Sequence, residues 1–393
     1  MIKSSLSPLS VVERRHLTKA ELKRIVGDKG KIAIVTDNAP IASKEALIAS
    51  FSEKEAVVLD KVSPNPKTTD IMEMFNDPRF AKCKSIVGIG GGSVMDSAKA
   101  LAMLKTNGGN LDDYLGNSPK LKIEKRCANL VLLPTTAGTG SEVTKVGVFS
   151  SESGRKYTLG SPLMHAHKAI LVQDFVVTAP PALVASTGLD ALDHALESIW
   201  NKNAKPETLD LSVKAAIEVL GNITTMYDTS VRLRETKALP GPSDYEASRK
   251  MLHASCMAGM AFNLTGTAAG HALSFVLSET WHVPHGTACA FTLNGVFALS
   301  TSNETTCKYL AEISKHFHPG VKDTAELVRL LQEDVANLTV RLKQPQRFAD
   351  LGINLAKDEI DCNFERSFDD PKMWNQMPPA TKENIYPLLE KLI

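Results

Sequence analysis

The sequence predicts an α/β domain on a mostly parallel sheet over residues 1–180, followed by an all-helical domain over residues 181–393. Three observations carry this. Short apolar runs rich in β-branched residues alternate with helical stretches through the first half. Those strand signals stop near Pro180-Pro181. Beyond that point apolar residues recur with a helical period.

The strand candidates, in order, are residues 31–37 (KIAIVTD), 56–60 (AVVLD), 85–89 (SIVGI) and 129–133 (NLVLL). Each is short and bounded by turn residues, as expected for strands buried on both faces. Residues 43–52 and 93–104 read as helices between them. In the second half, Leu209, Val213, Ala216, Ile217 and Leu220 share one helical stripe, and Leu327, Leu331, Val335, Leu338 and Leu342 share another. Asp323 with Glu326 predicts a capping box at the start of the latter helix. Residues 239–243 (LPGPS) read as a surface loop that breaks any helix.

Length alone argues against one core, since single cores rarely grow past roughly 250–300 residues. Lys and Arg total 45 against 44 Asp and Glu, so no overall charge favours nucleic acid or an anionic membrane surface. No run approaches the roughly 18 apolar residues of a membrane span, and the first residues show no secretory signal. The six cysteines are scattered without a C-x-x-C pair, which fits reduced thiols in a cytoplasmic protein.

Two turns carry chemistry. Gly90-Gly91-Gly92-Ser93 follows a strand candidate and opens a helix. Glycines there let an anion approach bare backbone, and the first N–H groups of the helix can cradle phosphate. A tight connection without a ligand is the alternative. The second turn, residues 134–142 (PTTAGTGSE), also follows a strand and is rich in hydroxyls. At the carboxyl ends of strands in one sheet, both would face the ligand crevice of an open α/β fold. Asp37 ends the first strand, where an acid can accept from a ribose 2′-hydroxyl and repel a 2′-phosphate, or simply cap a turn.

Asp190 and His194 are i and i+4 in a helical stretch and project from one face. His271 and His285 lie on later helical segments. One carboxylate and three imidazoles suit Fe²⁺ and Zn²⁺ alike. Singly, each has an ordinary reading as a surface pair or a core histidine, and residue typing does not by itself assemble the four.

Together, GGGSxxDxxK at 90–99, PTTAGTGSE, Asp190-x-x-x-His194, His271 and Pro284-His285-Gly286 resemble the iron-containing, group III alcohol dehydrogenases. The order and spacing match over residues 30–300, and residues 375–389 are also family-like. The resemblance implies a Rossmann-like first domain and a helical second domain, the fold shared with dehydroquinate synthase. It implies one divalent metal, Fe²⁺ favoured and Zn²⁺ the alternative, held by Asp190, His194, His271 and His285. It implies a pyrophosphate site at Gly91, Gly92 and Ser93, with Thr135, Thr136 and Thr139 lining the rest. Asn65 and Lys156 match further cofactor contacts, and Asp37 matches a position that favours NAD(H) over NADP(H).

The implied reaction interconverts a primary alcohol and an aldehyde in a homodimer. Residues 195–200 (ALESIW) and 271–274 (HALS) resemble the branch that reduces phosphonoacetaldehyde or sulfoacetaldehyde. Two departures stand out. Phe275 occupies a position where many members carry histidine, which leaves the proton route open, with His282 as a substitute. The N-terminal hairpin of the family is hard to find, which should alter an edge of the fold. The alternatives are a glycerol dehydrogenase-like or dehydroquinate synthase-like enzyme, or a regulatory nucleotide-binding protein without catalysis.

Overall fold

The computed structural model describes residues 9–27, 30–116 and 118–393. Residues 1–8, part of the stretch read as lacking a secretory signal, fall outside them. The chain divides into two compact units. One runs up to Ala179 and takes in Pro240–Ser248; the other comprises Pro180–Leu239 and Arg249–Ile393.

The first unit is built on a six-stranded sheet in the order β1-β8-β5-β4-β2-β3. The strands are β1 (Ser10–Arg14), β2 (Ile32–Thr36), β3 (Ala56–Leu59), β4 (Ser85–Gly90), β5 (Asn129–Pro134) and β8 (Lys168–Val172), and every pairing is parallel. An antiparallel hairpin, β6 (Val146–Ser150) with β7 (Lys156–Gly160), stands apart. Helices α1 (Lys19–Val26), α2 (Ala42–Ala49), α3 (Thr68–Asn76), α4 (Pro78–Ala81) and α5 (Gly92–Asn107) supply the connections.

The central strands feed two cores by strict alternation. Ala33, Val35, Ile86, Leu130 and Leu132 pack on one face of the sheet. Ile32, Ile34, Val87, Ile89, Val131 and Leu133 pack on the other. A strand covered on both sides has no polar face, which is why these segments read as continuous apolar runs.

Four strands escaped the sequence reading. β1 and β8 pair with each other, Ser10 against Lys168, and β1 is an edge of the sheet. In the hairpin, β6 alternates half-buried with buried residues and β7 has half-buried and exposed residues only, so neither reads as a continuous apolar run.

Among the described residues, the second unit has no named strand. Its helices are α6 (Pro181–Ile199), α7 (Pro206–Thr236), α8 (Pro242–Thr265), α9 (Ala269–Thr280), α10 (His285–Ser300), α11 (Glu304–Phe317), α12 (Thr324–Arg341), α13 (Lys357–Phe364) and α14 (Lys382–Glu390). α6 is its axis. It is buried from Gly188 to Ile199 and packs against α7 and α10. The loop read at 239–243 is shorter than expected, because Pro242 opens α8, a position where its missing N–H costs nothing. The first turns of α8 belong to the first unit, where the Arg15 guanidinium lies 4.0 Å from the Tyr245 ring centre.

The capping box predicted for α12 forms only by half. Asp323 accepts from the Glu326 N–H at 2.8 Å, but the Glu326 carboxylate turns to Arg329, which grips both its oxygens. A bidentate charged pair outcompetes one backbone donor. No helix among the described residues is long and apolar enough to cross a membrane.

Candidate active site

In the first unit, the two glycine-bearing turns leave the carboxyl ends of neighbouring strands. Gly90 on β4 pairs with Pro134 on β5, and the Thr135 N–H donates to the Gly90 carbonyl at 3.0 Å. Gly91 is the N-cap of α5, and Gly92 and Ser93 form its first positions, so their N–H groups lack partners within the helix. A Cβ on Gly92 would meet Thr139 Cγ2 at 2.9 Å, so the close fit of the two turns needs glycine there. The Thr136 hydroxyl is buried without a hydrogen bond. The structure thus brings Gly91, Gly92, Ser93, Thr135, Thr136 and Thr139 together.

The second half of the glycine motif holds the two turns in place. Asp96 accepts from Ser141 Oγ at 2.7 Å and from the Val148 N–H at 2.9 Å. Lys99, fully buried, donates to Ser141 Oγ, Thr144 Oγ1 and the Val146 carbonyl at 2.7, 2.9 and 2.6 Å. Burial drives the Lys99 pKa down, against the pull of Asp96 and Glu142.

Burial likewise pushes the Glu142 carboxyl up to about 7, opposed by a backbone hydrogen bond and by Lys99. A folded-state pKa above the ordinary 4.5 means the fold favours the protonated acid. Stability from this group is full below about 4.5 and is lost as pH rises towards about 7. At about 1.36 kcal/mol per pKa unit the loss is on the order of 3 kcal/mol. Glu142→Gln, which keeps the shape and cannot ionise, should flatten the fall in melting temperature between pH 5 and pH 8. An unchanged pH profile would remove Glu142 as its source.

Asp37 directly follows β2. Its Oδ1 accepts from Lys44 Nζ at 2.6 Å and from the Ala39 N–H at 3.1 Å, and Lys44 also donates to the Asp37 carbonyl at 2.8 Å. Asp37 therefore does cap a turn, and it is also charge-paired with a lysine that is itself buried. Asn65 is exposed, with a left-handed φ of 55°. Its loop joins the hairpin through the Ser150 N–H and the Pro66 carbonyl, and Ser150 in turn pairs with Lys156. The backbone thus brings Asn65 and Lys156 into one neighbourhood.

The second unit assembles the ligand constellation around one oxygen. Asp190 Oδ1 lies 3.7 Å from His194 Nδ1, 3.5 Å from His271 Nε2 and 3.7 Å from His285 Nε2. Neighbouring donors on a tetrahedron of about 2.1 Å bonds sit about 3.4 Å apart, so these spacings suit a metal. Asp190 Oδ1 and His271 Nε2 are buried and have no hydrogen bond, an arrangement a cation would satisfy. Burial opposes ionisation of Asp190, but the three imidazoles outweigh it and hold its carboxyl well below the usual range.

Each side chain is set by its helix. Asp190 and His194 lie on α6, His271 in the first turn of α9, and His285 at the first position of α10. α10 can approach α6 because residue 286 is glycine. A Cβ there would fall 2.2 Å from the Ser186 carbonyl oxygen.

Two carboxylates missed in the sequence reading lie beside His271, and one of them, Glu197, orients it. Glu197 Oε2 lies 2.8 Å from His271 Nδ1, and Glu197 also accepts from the backbone N–H groups of Ala268 (2.6 Å) and His271 (3.1 Å). With Nδ1 held by a carboxylate, Nε2 is the ring nitrogen left to face Asp190. Asp193 Oδ2 stands 3.3 Å from the same Nδ1. Burial, reinforced by the charge of Glu197, pushes the Asp193 carboxyl well up from its ordinary value. Glu197 is buried too, but His271 and the two N–H groups hold it below the usual range, so it is the ionised member. The signal was available: Asp190, Asp193, His194 and Glu197 are i, i+3, i+4 and i+7 on one face of α6.

One set of donor atoms from Asp190, His271, His285 and Cys289, and another from Asp193, Glu197 and His271, each lie within 4.8 Å of one another. Cys289 was not a candidate in the sequence. Burial pushes its thiol up to about 12. His194 stacks on Phe262, ring centres 4.2 Å apart, and tilts against His271 at 4.4 Å. His282 is exposed, with a left-handed φ of 56° in the turn before α10, and the structure does not bring it to the cluster. Phe275 sets its ring against His285, centres 6.2 Å apart, and the Lys372 ammonium lies 4.0 Å from the Phe275 ring centre.

The model of the iron-containing alcohol dehydrogenase domain matches residues 13–173, and that of the family's C-terminal domain matches residues 184–393. The chain belongs to the iron-containing alcohol dehydrogenase family. Among family relatives, alcohol dehydrogenase 4 of Saccharomyces cerevisiae is 30% identical over 370 residues, covering 93% of this chain and 91% of its own. A crystal structure of 1,3-propanediol oxidoreductase is 25% identical with a TM-score of 0.86, covering both chains fully. Sulfoacetaldehyde reductase from Bifidobacterium kashiwanohense, solved in complex with NAD⁺, is 28% identical with a TM-score of 0.84, covering 100% of this chain and 99% of its own. The protein is thus an alcohol dehydrogenase of the iron-containing family, with the α/β and helical architecture of its relatives.

Proposed function

We propose that this protein is a metal-dependent oxidoreductase that interconverts a primary alcohol and an aldehyde with NAD(H), and that it reduces a small anionic aldehyde. The observation that carries the metal reading is the single Asp190 oxygen ringed by three imidazole nitrogens, with His271 oriented by Glu197. Asp190, His194, His271 and His285 are the proposed ligands. A divalent metal held there, with ligand types that suit Fe²⁺ and Zn²⁺ alike and a family resemblance that favours Fe²⁺, would polarise a carbonyl or alkoxide oxygen. NAD(H) would supply or receive the hydride.

The chain's own residues bind and orient. Gly91, Gly92 and Ser93 offer backbone N–H groups to a pyrophosphate. Thr135, Thr136 and Thr139 line the same turn pair, and Asn65 and Lys156 add contacts from the hairpin side. Asp96 and Lys99 fix the two turns relative to each other. Glu197 holds the His271 ring through Nδ1 and leaves Nε2 facing Asp190. The family resemblance extends the proposal to a homodimer, and six free cysteines fit a reducing, cytoplasmic setting.

Two observations support the anionic substrate. One solved relative is named a sulfoacetaldehyde reductase. The other is Lys372, whose ammonium lies over Phe275 beside His285, where an attached sulfonate or phosphonate would find a counter-charge. Asp370, 3.1 Å from Lys372, would be the group it leaves.

The test is NADH oxidation by anaerobically prepared protein against neutral and anionic small aldehydes, with Fe²⁺ or Zn²⁺ restored. Metal-requiring turnover, fastest with an anionic aldehyde, is the expected result. Protein that binds no metal when supplied would overturn the reading in favour of a regulatory nucleotide-binding role.

Cofactor choice has its own test. Asp37→Gly removes the acid and leaves the buried Lys44 cation behind. The preference should shift towards NADPH by about tenfold or more, about 1.4 kcal/mol. An unchanged ratio of kcat/KM values would reduce Asp37 to its turn-capping role.

A further inference from the structure

Lys44 sits in the first turn of α2, the end of a helix where the aligned peptide dipoles disfavour a cation. It is nevertheless 1% exposed, on the same helix face as the buried Leu47. What holds it there is Asp37. The ammonium donates to Asp37 Oδ1 at 2.6 Å and to the Asp37 carbonyl at 2.8 Å. The Ala39 N–H donates to the same Oδ1 at 3.1 Å. Asp37 Oδ2 accepts no hydrogen bond from the described residues. The Asp37 side chain is 26% exposed and that of Lys44 only 2%, so the carboxylate meets the solvent side and the ammonium stands behind it. We propose that Lys44 is a specificity-determining residue: it neutralises Asp37 from behind, so that the cofactor site admits NADP(H) alongside NAD(H). The inference rests on the NAD(H) reading above and names the residue that sets how far NADP(H) is turned away.

A lone carboxylate after β2 accepts from a ribose 2′-hydroxyl and repels a 2′-phosphate. The pair separates these two effects. Oδ2 remains available to a hydroxyl, so recognition of NAD(H) is kept. The repulsion is not kept in full, because Coulomb energy falls only as the inverse of distance. An anion about 4 Å in front of the carboxylate is no more than roughly 7 Å from an ammonium in contact with it, so the cation cancels more than half of the repulsion. Burial of Lys44 also limits screening of this term by salt. Lys44 is too buried to reach the cofactor and acts through Asp37, as a positioning residue.

The experiment titrates the full-length protein with NADH and with NADPH, reading nucleotide fluorescence, so that binding is measured without turnover. The wild type should bind both, NADPH no more than about 100-fold more weakly. Lys44→Met, of similar length and without charge, should weaken NADPH by about tenfold or more beyond any effect on NADH. Lys44→Arg should restore the wild-type ratio. Equal weakening of both nucleotides in Lys44→Met would reduce Lys44 to a packing role and overturn the proposal. A wild type that binds NADH and no NADPH overturns it too and leaves the NAD(H) reading intact. Binding of neither nucleotide overturns both. Should the Lys44 variants not fold, displacement of NADH from the wild type decides. Adenosine 2′,5′-bisphosphate competing within about tenfold of AMP supports the proposal, and competition by AMP alone overturns it.

Discussion

Replacing His271 with alanine is expected to lower metal affinity by more than about 100-fold, the upper end for losing an outer hydrogen-bond partner of a ligand. Turnover should fall with it, while the far-ultraviolet circular dichroism stays that of the wild type. His271 joins Asp190 to Glu197: its Nε2 is 3.5 Å from one and its Nδ1 is 2.8 Å from the other. Removing the ring takes away a donor and also strands the support behind it. Glu197→Gln, which keeps the ring and weakens only its anchor, should lose about 10–100-fold. Metal content unchanged in His271→Ala, read by elemental analysis after dialysis, would sink the ligand assignment.

The second large effect comes from a residue with no side chain. Gly286→Ala places a methyl group 2.2 Å from the Ser186 carbonyl oxygen and 2.7 Å from its carbon. Both atoms are backbone, so no rotamer change relieves the clash, and α10 must shift off α6. Overpacking of this kind costs about 1–3 kcal/mol. The shift acts at the point where His285 begins α10, four residues before Asp190 on the facing helix. A melting temperature lower by several degrees and a weakened metal site should therefore appear together. Wild-type values for both would show that the two helices are not held this closely.

The parts of this fold legible in the sequence are those where one physical rule acts alone. Strands β2 to β5 announced themselves because burial on both faces leaves them no polar positions. β1 did not, because it is defined by a partner, β8, that lies at the other end of the unit. Asp190 and His194 stood out through i, i+4 spacing. The same rule links His285 to Cys289, but a lone cysteine among helical apolar residues reads as packing. Asp193 and Glu197 share the α6 face with the ligands, and what hid them was that acids in a helix ordinarily face water. Their roles depend on burial, and burial of a whole helix shows only when its neighbours are in place. Lys44 is the same case: a lysine 1% exposed cannot be guessed from composition.

The α6–α9–α10 arrangement has a consequence for how the protein handles its metal. Small zinc domains acquire their shape from the ion and lose it to a chelator. Here the donors ride on helices whose positions are fixed by apolar packing and by a glycine contact that involves no ligand atom. Little of the binding energy goes into ordering the chain. The metal should enter and leave as an exchangeable part, so chelation should silence the protein without unfolding it, and a different dication should restart it. Which ion it carries would then reflect supply as much as sequence.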